Sequence, residues 1–212
     1  MLFRSRRIRQ RPNVTPLVVD YYFSPVSPFA YLGGERFAKL CREVDARVNV
    51  YPIDLTKVFP ATGGISLKER APARLAYRLA ELRRWRDYLA VPLVLEPKYF
   101  PADANPAAML ILAAREGGLD ALALSQRVLR AVWVDERNIA DTDTLVELAN
   151  DIGLDGEALR ERSADPGIAE KYARETQQAI DRGVFGSPTY IIGDELFWGQ
   201  DRLEFVERKL KQ

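Results

Sequence analysis

The chain of 212 residues is long enough for one domain with a large core, or for one domain that carries a sizeable insertion. Its 31 Lys and Arg residues against 30 Asp and Glu give a formal net charge of +1, so the sequence predicts neither a nucleic-acid nor a membrane partner. No apolar run approaches the roughly 18 residues that a membrane-spanning helix needs.

The numbers of histidine and cysteine residues limit which catalytic mechanisms and binding sites are possible. The sequence contains no histidine, which excludes a histidine-assisted triad, an imidazole acid or base and a histidine metal site, so we expect no metal. Its single cysteine, Cys41, cannot form an internal disulfide and indicates a reducing compartment, hence a cytoplasmic protein. Cys41 lies in "FAKLCREV", where helical spacing predicts a buried structural thiol.

The amino-terminal segment "MLFRSRRIRQRP" holds five arginines and lacks the apolar core of a secretory signal. We interpret residues 1–13 as a disordered basic arm and exclude them from the fold. An upstream start codon, an organelle-targeting arm and an acid-binding arm are the alternatives.

From residue 14 the predicted order is strand, helix, strand, then helices, then a hairpin and a helix. "TPLVVDYYF" is typical of a strand buried on both faces, a helix follows to about Val44, and "ARVNVYPIDL" predicts a second, parallel strand. "TYIIGDELFW" predicts a hairpin around Gly193-Asp194, before a last helix. The sequence thus predicts an α/β thioredoxin-like fold, in which residues 14–65 and 181–212 form the thioredoxin-like domain and residues 66–180 a large all-helical insertion domain.

The first candidate site residue is Ser27, which we expect to cap the first helix with Pro28 at its first position. A helix amino terminus favours an anion. Without a histidine, Ser27 is a poor nucleophile, but its hydroxyl can donate a hydrogen bond to a thiolate and lower that thiol's pKa. A purely structural cap is the alternative.

Two further segments predict binding groups. If the Ser187-Pro188 peptide is cis, the backbone of Ser187 can pair with an extended peptide-like ligand; an ordinary trans proline at a strand start is the alternative. Gln200 and Asp201 follow Gly199 at the predicted start of the last helix, where a carboxylate and an ammonium group could bind. A plain helix cap is again the alternative.

The segments "DYYFSPVSPFAYLG", "GVFGSPTY" and "ELFWGQDRL" resemble the 2-hydroxychromene-2-carboxylate isomerases, which lie beside the kappa-class glutathione transferases in the disulfide-oxidoreductase-like branch of the thioredoxin superfamily. The resemblance implies glutathione as cofactor. It assigns Ser27 to the glutathione thiolate, and Ser187, before the cis-proline Pro188, to the cysteinyl backbone. Gln200 and Asp201 would hold the γ-glutamyl end.

In one place the sequence departs from the family pattern. The pattern has an asparagine after a Thr-Gly dipeptide, where "PATGGISL" has Gly64. For the carboxylate of a small aromatic substrate, Lys57 and Arg74 are the candidate binding residues; a solvated surface role is the alternative for each.

The leading hypothesis is therefore a glutathione-dependent isomerase of 2-hydroxychromene-2-carboxylate-type aromatic keto acids. The glutathione thiolate would add to the conjugated carbon of the substrate and so make a single bond that can rotate. Elimination would then return glutathione unchanged. A kappa-class-like glutathione transferase and a non-catalytic thioredoxin-fold binding protein are the alternatives. The family resemblance also suggests a homodimer. A dithiol oxidoreductase is excluded, because residues 27–30 contain no cysteine and Cys41 has no partner.

Overall fold

A mixed four-stranded sheet lies at the centre of the computed structural model, which describes residues 17–212. Its strands are β1 (Val18–Phe23), β2 (Arg47–Pro52), β3 (Thr189–Ile192) and β4 (Glu195–Trp198), in the spatial order β2-β1-β3-β4. β1 and β2 run parallel, whereas β3 is antiparallel to both β1 and β4. The predicted parallel pair and the closing hairpin are thus confirmed.

Helices account for most of the rest of the described chain. One helix connects the parallel strands, seven lie between β2 and β3, and one follows β4, which confirms the predicted α/β fold with inserted helices. They are α1 (Pro28–Glu43), α2 (Leu55–Thr62), α3 (Pro72–Leu89), α4 (Asn105–Glu116), α5 (Ala121–Trp133), α6 (Thr142–Asn150), α7 (Gly156–Ser163), α8 (Pro166–Asp181) and α9 (Leu203–Leu210).

The sheet is buried on both faces, as the apolar character of β1 predicts. Successive side chains of a strand point to opposite faces. Accordingly, Tyr21 belongs to the large hydrophobic cluster that α1, α4, α5 and α9 complete. Tyr22 belongs to a second cluster, which also contains Val58 of α2 and Ala179 of α8. Cys41 is buried in the large cluster, which confirms its predicted structural position.

Helix α2 has no counterpart among the predicted elements. The alternating sequence pattern predicts a second strand that continues through Leu55, but β2 ends at Pro52. Asp54 then caps α2, because its carboxylate accepts a hydrogen bond from the backbone N–H of Thr56 at 2.8 Å. The pattern that favours a strand runs directly into this cap, so periodicity alone does not mark the boundary.

Residues 1–13, the predicted basic arm, lie outside the described residues. The division into residues 14–65, 66–180 and 181–212 stays a prediction. Within the described chain, the inserted helices α4 and α5 share one hydrophobic cluster with the sheet and α1. In this part of the chain, no helix combines the length and apolar character that crossing a membrane requires.

Candidate active site

Ser27 begins the site by capping α1. Its hydroxyl oxygen accepts a hydrogen bond from the backbone N–H of Ala30 at 3.2 Å, and Pro28 occupies the first helical turn. The predicted cap is therefore confirmed. The helix needs this acceptor because its first N–H groups have no partner within the helix. Only 6% of Ser27 is exposed, so its hydroxyl works in a largely dry environment.

The same hydroxyl reaches across to the segment before β3. Ser27 Oγ donates a hydrogen bond to the carbonyl oxygen of Ser187 at 3.2 Å, and the Ser187 hydroxyl accepts one from the backbone N–H of Ser24 at 2.9 Å. The Ser187-Pro188 peptide bond is cis. Two predicted site residues about 160 positions apart in sequence thus meet directly, because β1 and β3 are neighbours in the sheet.

A cavity of about 650 Å³ opens beside these serines. This volume falls within the range of small-molecule sites, roughly 300–1,000 Å³. Its walls come from the start of α1, from α2, from the segments around residues 64–70 and 100–105, and from α3. Its large apolar members are Phe29, Phe59, Phe100, Phe185 and Trp198.

Phe185 and Trp198 belong to the exposed part of this wall. Their ring centroids are 4.8 Å apart, and Trp198 is 50% exposed. Aromatic faces at the mouth of a cavity can stack on a planar ligand. The arrangement suits a flat, largely apolar molecule.

Gln200 and Asp201 do not line this cavity. The Gln200 side chain is buried, and its carboxamide oxygen accepts a hydrogen bond from Arg36 at 2.8 Å. Asp201 is exposed on a short 3-10 turn that precedes α9. The turn nevertheless adjoins the cis-proline segment, because the N–H of Gly199 donates to the carbonyl oxygen of Pro188 at 2.9 Å.

Lys57 and Arg74 are also absent from the cavity wall. Lys57 is exposed on α2, whose inward-facing side chain is Val58, and Arg74 is exposed in the first turn of α3. The basic side chains that do line the cavity are Lys68, Arg70 and Arg78. Arg78 is not among the predicted site residues because it is one of several arginines in α3, a pattern that is typical of a solvated face.

Burial disfavours the charged form of the two guanidinium groups that line the cavity, those of Arg70 and Arg78. It lowers the pKa of Arg78 to about 10, with a smaller contribution from the charge of Arg70. The pKa of Arg70 is also lowered, first by burial and then by the charge of Arg74. The cavity therefore holds positive charge that an anion would stabilise.

Gly64 lines the cavity at the place where the family pattern has asparagine. A Cβ atom built on Gly64 would lie 2.5 Å from Cδ1 of Phe59, closer than carbon atoms approach in proteins. The Phe59 ring thus occupies the space that a longer side chain at position 64 would need. This departure is accordingly coupled to the aromatic wall of the cavity.

Comparisons with known proteins identify the family of this chain. A model of the DSBA-like thioredoxin domain matches residues 18–211. The 2-hydroxychromene-2-carboxylate isomerase of Pseudomonas putida is 34% identical over 194 residues, which span 90% of this chain and 93% of the relative. Glutathione S-transferase kappa 1 of Caenorhabditis elegans is 23% identical over 207 residues, which cover 92% and 91% of the two chains.

A solved structure of a 2-hydroxychromene-2-carboxylate isomerase matches with a TM-score of 0.76 at 32% identity, over 92% of this chain and 95% of that one. The range matched by the family model, residues 18–211, contains both Ser27 and Ser187. The chain belongs to the DSBA-like thioredoxin family and, within it, to the 2-hydroxychromene-2-carboxylate isomerases.

Proposed function

We propose that this chain is a glutathione-dependent isomerase of 2-hydroxychromene-2-carboxylate-type aromatic keto acids. One observation carries the proposal: the hydroxyl of Ser27, at the amino terminus of α1, is hydrogen-bonded to the backbone carbonyl of Ser187 beside a largely apolar cavity. A thiol site and an aromatic site thus adjoin each other. A glutathione-dependent isomerisation of an aromatic acid would use both sites.

The residues present fit glutathione. The amino terminus of α1 favours a thiolate by about 0.3–1 kcal/mol at an exposed site, and by more in a dry one. The Ser187 carbonyl can accept a hydrogen bond from the cysteinyl N–H of a tripeptide, as in strand addition. In the structure the Ser27 hydroxyl donates its hydrogen bond to that carbonyl. Once the carbonyl accepts from the ligand instead, the Ser27 hydroxyl would be free to donate to the sulfur.

When bound, glutathione would supply a thiolate nucleophile that can add to a conjugated carbon of the substrate and be eliminated again, so that the substrate double bond is temporarily single and can rotate. The protein contributes the environment. Ser27 holds the sulfur in its charged form by donating a hydrogen bond, and does not itself attack, since no histidine exists to take its proton. A substrate bound against the aromatic walls would displace water and so strengthen each polar contact inside the cavity.

For the γ-glutamyl end we propose the turn that contains Gln200 and Asp201. Its support is the hydrogen bond between Gly199 N–H and the Pro188 carbonyl, which ties the turn to the cis-proline segment. Asp201 offers an exposed carboxylate for an ammonium group. Since Arg36 donates to both the carboxamide oxygen and the backbone carbonyl oxygen of Gln200, the contribution of Gln200 would come from its backbone N–H.

A kappa-class-like transferase is the second candidate. It would use the same thiolate but keep the new carbon–sulfur bond. Gly64 favours it, because glycine supplies no polar side chain for substrate chemistry where the family pattern has asparagine. A non-catalytic binding protein is the third candidate. A homodimer remains a proposal in all three cases.

The deciding experiment measures isomerisation of 2-hydroxychromene-2-carboxylate by absorbance, with and without glutathione, in wild type and Ser27 variants. Ser27→Ala should lower kcat about 10- to 100-fold, the loss of one hydrogen bond to a charged group. Ser27→Asp keeps a side-chain acceptor for the helix cap, and its negative charge should abolish thiolate formation; thermal unfolding would verify that the variant folds.

Ser163→Ala is the matched control, because the Ser163 hydroxyl also donates to a backbone carbonyl, that of Arg160, but lies on α7 away from the cavity. Unchanged turnover in Ser27→Ala would refute the role of Ser27. Adduct formation with 1-chloro-2,4-dinitrobenzene without any isomerisation would favour the transferase. No thermal stabilisation by glutathione would favour the binding protein, since a ligand at 100 times its Kd adds about 2.7 kcal/mol.

A further inference from the structure

The α3 wall of the cavity presents a guanidinium that the fold does not neutralise. Arg78 is partly buried, and within residues 17–212 its guanidinium makes neither a hydrogen bond nor an ion pair. Its neighbours are aromatic: the guanidinium carbon lies 5.4 Å from the ring centroid of Phe100 and 5.9 Å from that of Trp133. A cation in such a position usually has a counter-ion.

Other partly buried arginines in this molecule have one. Arg115 forms an ion pair with Glu175 at 2.6 Å, and Arg127 forms one with Asp151 at 2.8 Å. Removing a charge from water is costly unless a partner compensates. Arg78 differs from these arginines in that its open side faces a cavity.

The carboxylates that line the cavity have other partners. Asp54 accepts hydrogen bonds from the N–H and the hydroxyl of Thr56, Glu69 accepts one from the Ser66 hydroxyl, and Asp103 accepts one from the N–H of Asn105. None of them pairs with Arg78 among the described residues. The positive charge on this wall is therefore available to a ligand.

We propose that Arg78, with Arg70 beside it, binds the carboxylate of the aromatic substrate. This inference rests on the proposed isomerase function and identifies the anion site that the function requires. A guanidinium presents two parallel N–H donors that match a carboxylate. Phe100 already lies against Arg78, so a bound aromatic acid would place its carboxylate on the cation and its ring among the apolar walls.

A binding experiment tests the site without requiring turnover. Calorimetry would compare naphthalene-1-carboxylate with its neutral amide, naphthalene-1-carboxamide, in wild type, Arg78→Met and Arg83→Met. Arg83 is the matched control, since it lies on α3 but is exposed and outside the cavity wall. Glutathione affinity would be measured on the same samples, and thermal unfolding would verify folding.

Wild type and Arg83→Met should bind the carboxylate about 10- to 100-fold more tightly than the amide, the range of a hydrogen bond to a charged group. Arg78→Met should lose this preference while its affinities for the amide and for glutathione stay within two-fold. Arg78→Lys, which keeps the charge but not the paired donors, should retain part of the preference.

An unchanged preference in Arg78→Met would overturn the assignment. So would a selective loss of glutathione affinity, because Arg78 would then bind a glutathione carboxylate. These outcomes are separate from the failure of the proposed function, which would show as absent isomerisation by wild type. If wild type isomerises its substrate, the same variant should raise KM about 10- to 100-fold with a smaller change in kcat.

Discussion

Replacing Gly64 by asparagine would give this chain the residue that the family pattern has after Thr62 and Gly63. The structure predicts that the single change is unfavourable. A Cβ at position 64 would lie 2.5 Å from Cδ1 of Phe59 and 3.0 Å from its Cβ and Cγ. Because carbon atoms pack at about 3.5–4.0 Å, Phe59 would have to move by about 1 Å.

The size of the effect follows from what Phe59 contacts. Its ring lines the cavity and lies 5.9 Å from the guanidinium carbon of Arg70, so a shift would disturb both. Overpacking of this kind costs about 1–3 kcal/mol. For a chain of this length, each kcal/mol lowers Tm by about 2–4 °C, so we expect Gly64→Asn to lower Tm by about 2–12 °C.

The assay is a double-mutant cycle read by thermal unfolding. Phe59→Ala removes the obstructing ring, so the double variant Gly64→Asn with Phe59→Ala should be more stable than the sum of the two single changes predicts. Residues in contact show interaction energies of about 0.5–3 kcal/mol. Gly153→Asn is the control, because a Cβ there meets nothing within 4 Å and asparagine tolerates its φ of +80°.

Two results would refute this reasoning. One is a Gly64→Asn variant with the Tm of wild type. The other is a cycle in which the two changes add to within about 0.5 kcal/mol, as for residues that do not touch. In either case Phe59 would not be what prevents a larger side chain at position 64.

Two further predictions concern α1. Burial raises the pKa of Cys41 to about 12, so at pH 8 its alkylation by iodoacetamide should be about a thousand-fold slower in the native protein than in denaturant; comparable rates would contradict this. Gly33→Ala should lower Tm, because its Cβ would lie 2.8 Å from Cβ of Gln200, whereas Gly34→Ala, with only Cγ of Gln126 at 3.7 Å, should be neutral or stabilising. Equal effects at the two glycines would show that α1 is not held closely against the turn at Gln200.

Local signals make most of the fold predictable. The strand and helix periods at the two ends of the chain, with Ser27 and Pro28 as a helix start, indicate the β-α-β and β-β-α units that the structure contains. Helix α2 gives no comparable signal, because its cap, Asp54, stands inside an alternating pattern. The helical pattern likewise locates α3 but cannot indicate which of its polar residues faces a cavity.

Some residues of the site can likewise be predicted from local sequence, and others cannot. Ser27 and Ser187 can be paired from the sequence because each lies next to a strand of one sheet, and the sheet fixes their separation. Lys57 and Arg74 are candidates only because their segments adjoin the predicted crevice. Which side chain points inward depends on how α2 and α3 pack, and a packing orientation is a tertiary property that no local pattern specifies.

Arg78 can be identified by a physical criterion, the absence of a counter-ion within residues 17–212 of the folded structure, although no sequence pattern indicates it. Once the fold is known, each partly buried cation can be examined for its counter-ion, and Arg115 and Arg127 have theirs within the protein. Arg78 has none among the described residues, yet its desolvation lowers its pKa. A charge that is partly desolvated and left without a partner at a cavity wall costs stability until an anion binds. That cost explains why Arg78, and not the more exposed Arg74, is the residue to expect at the substrate carboxylate.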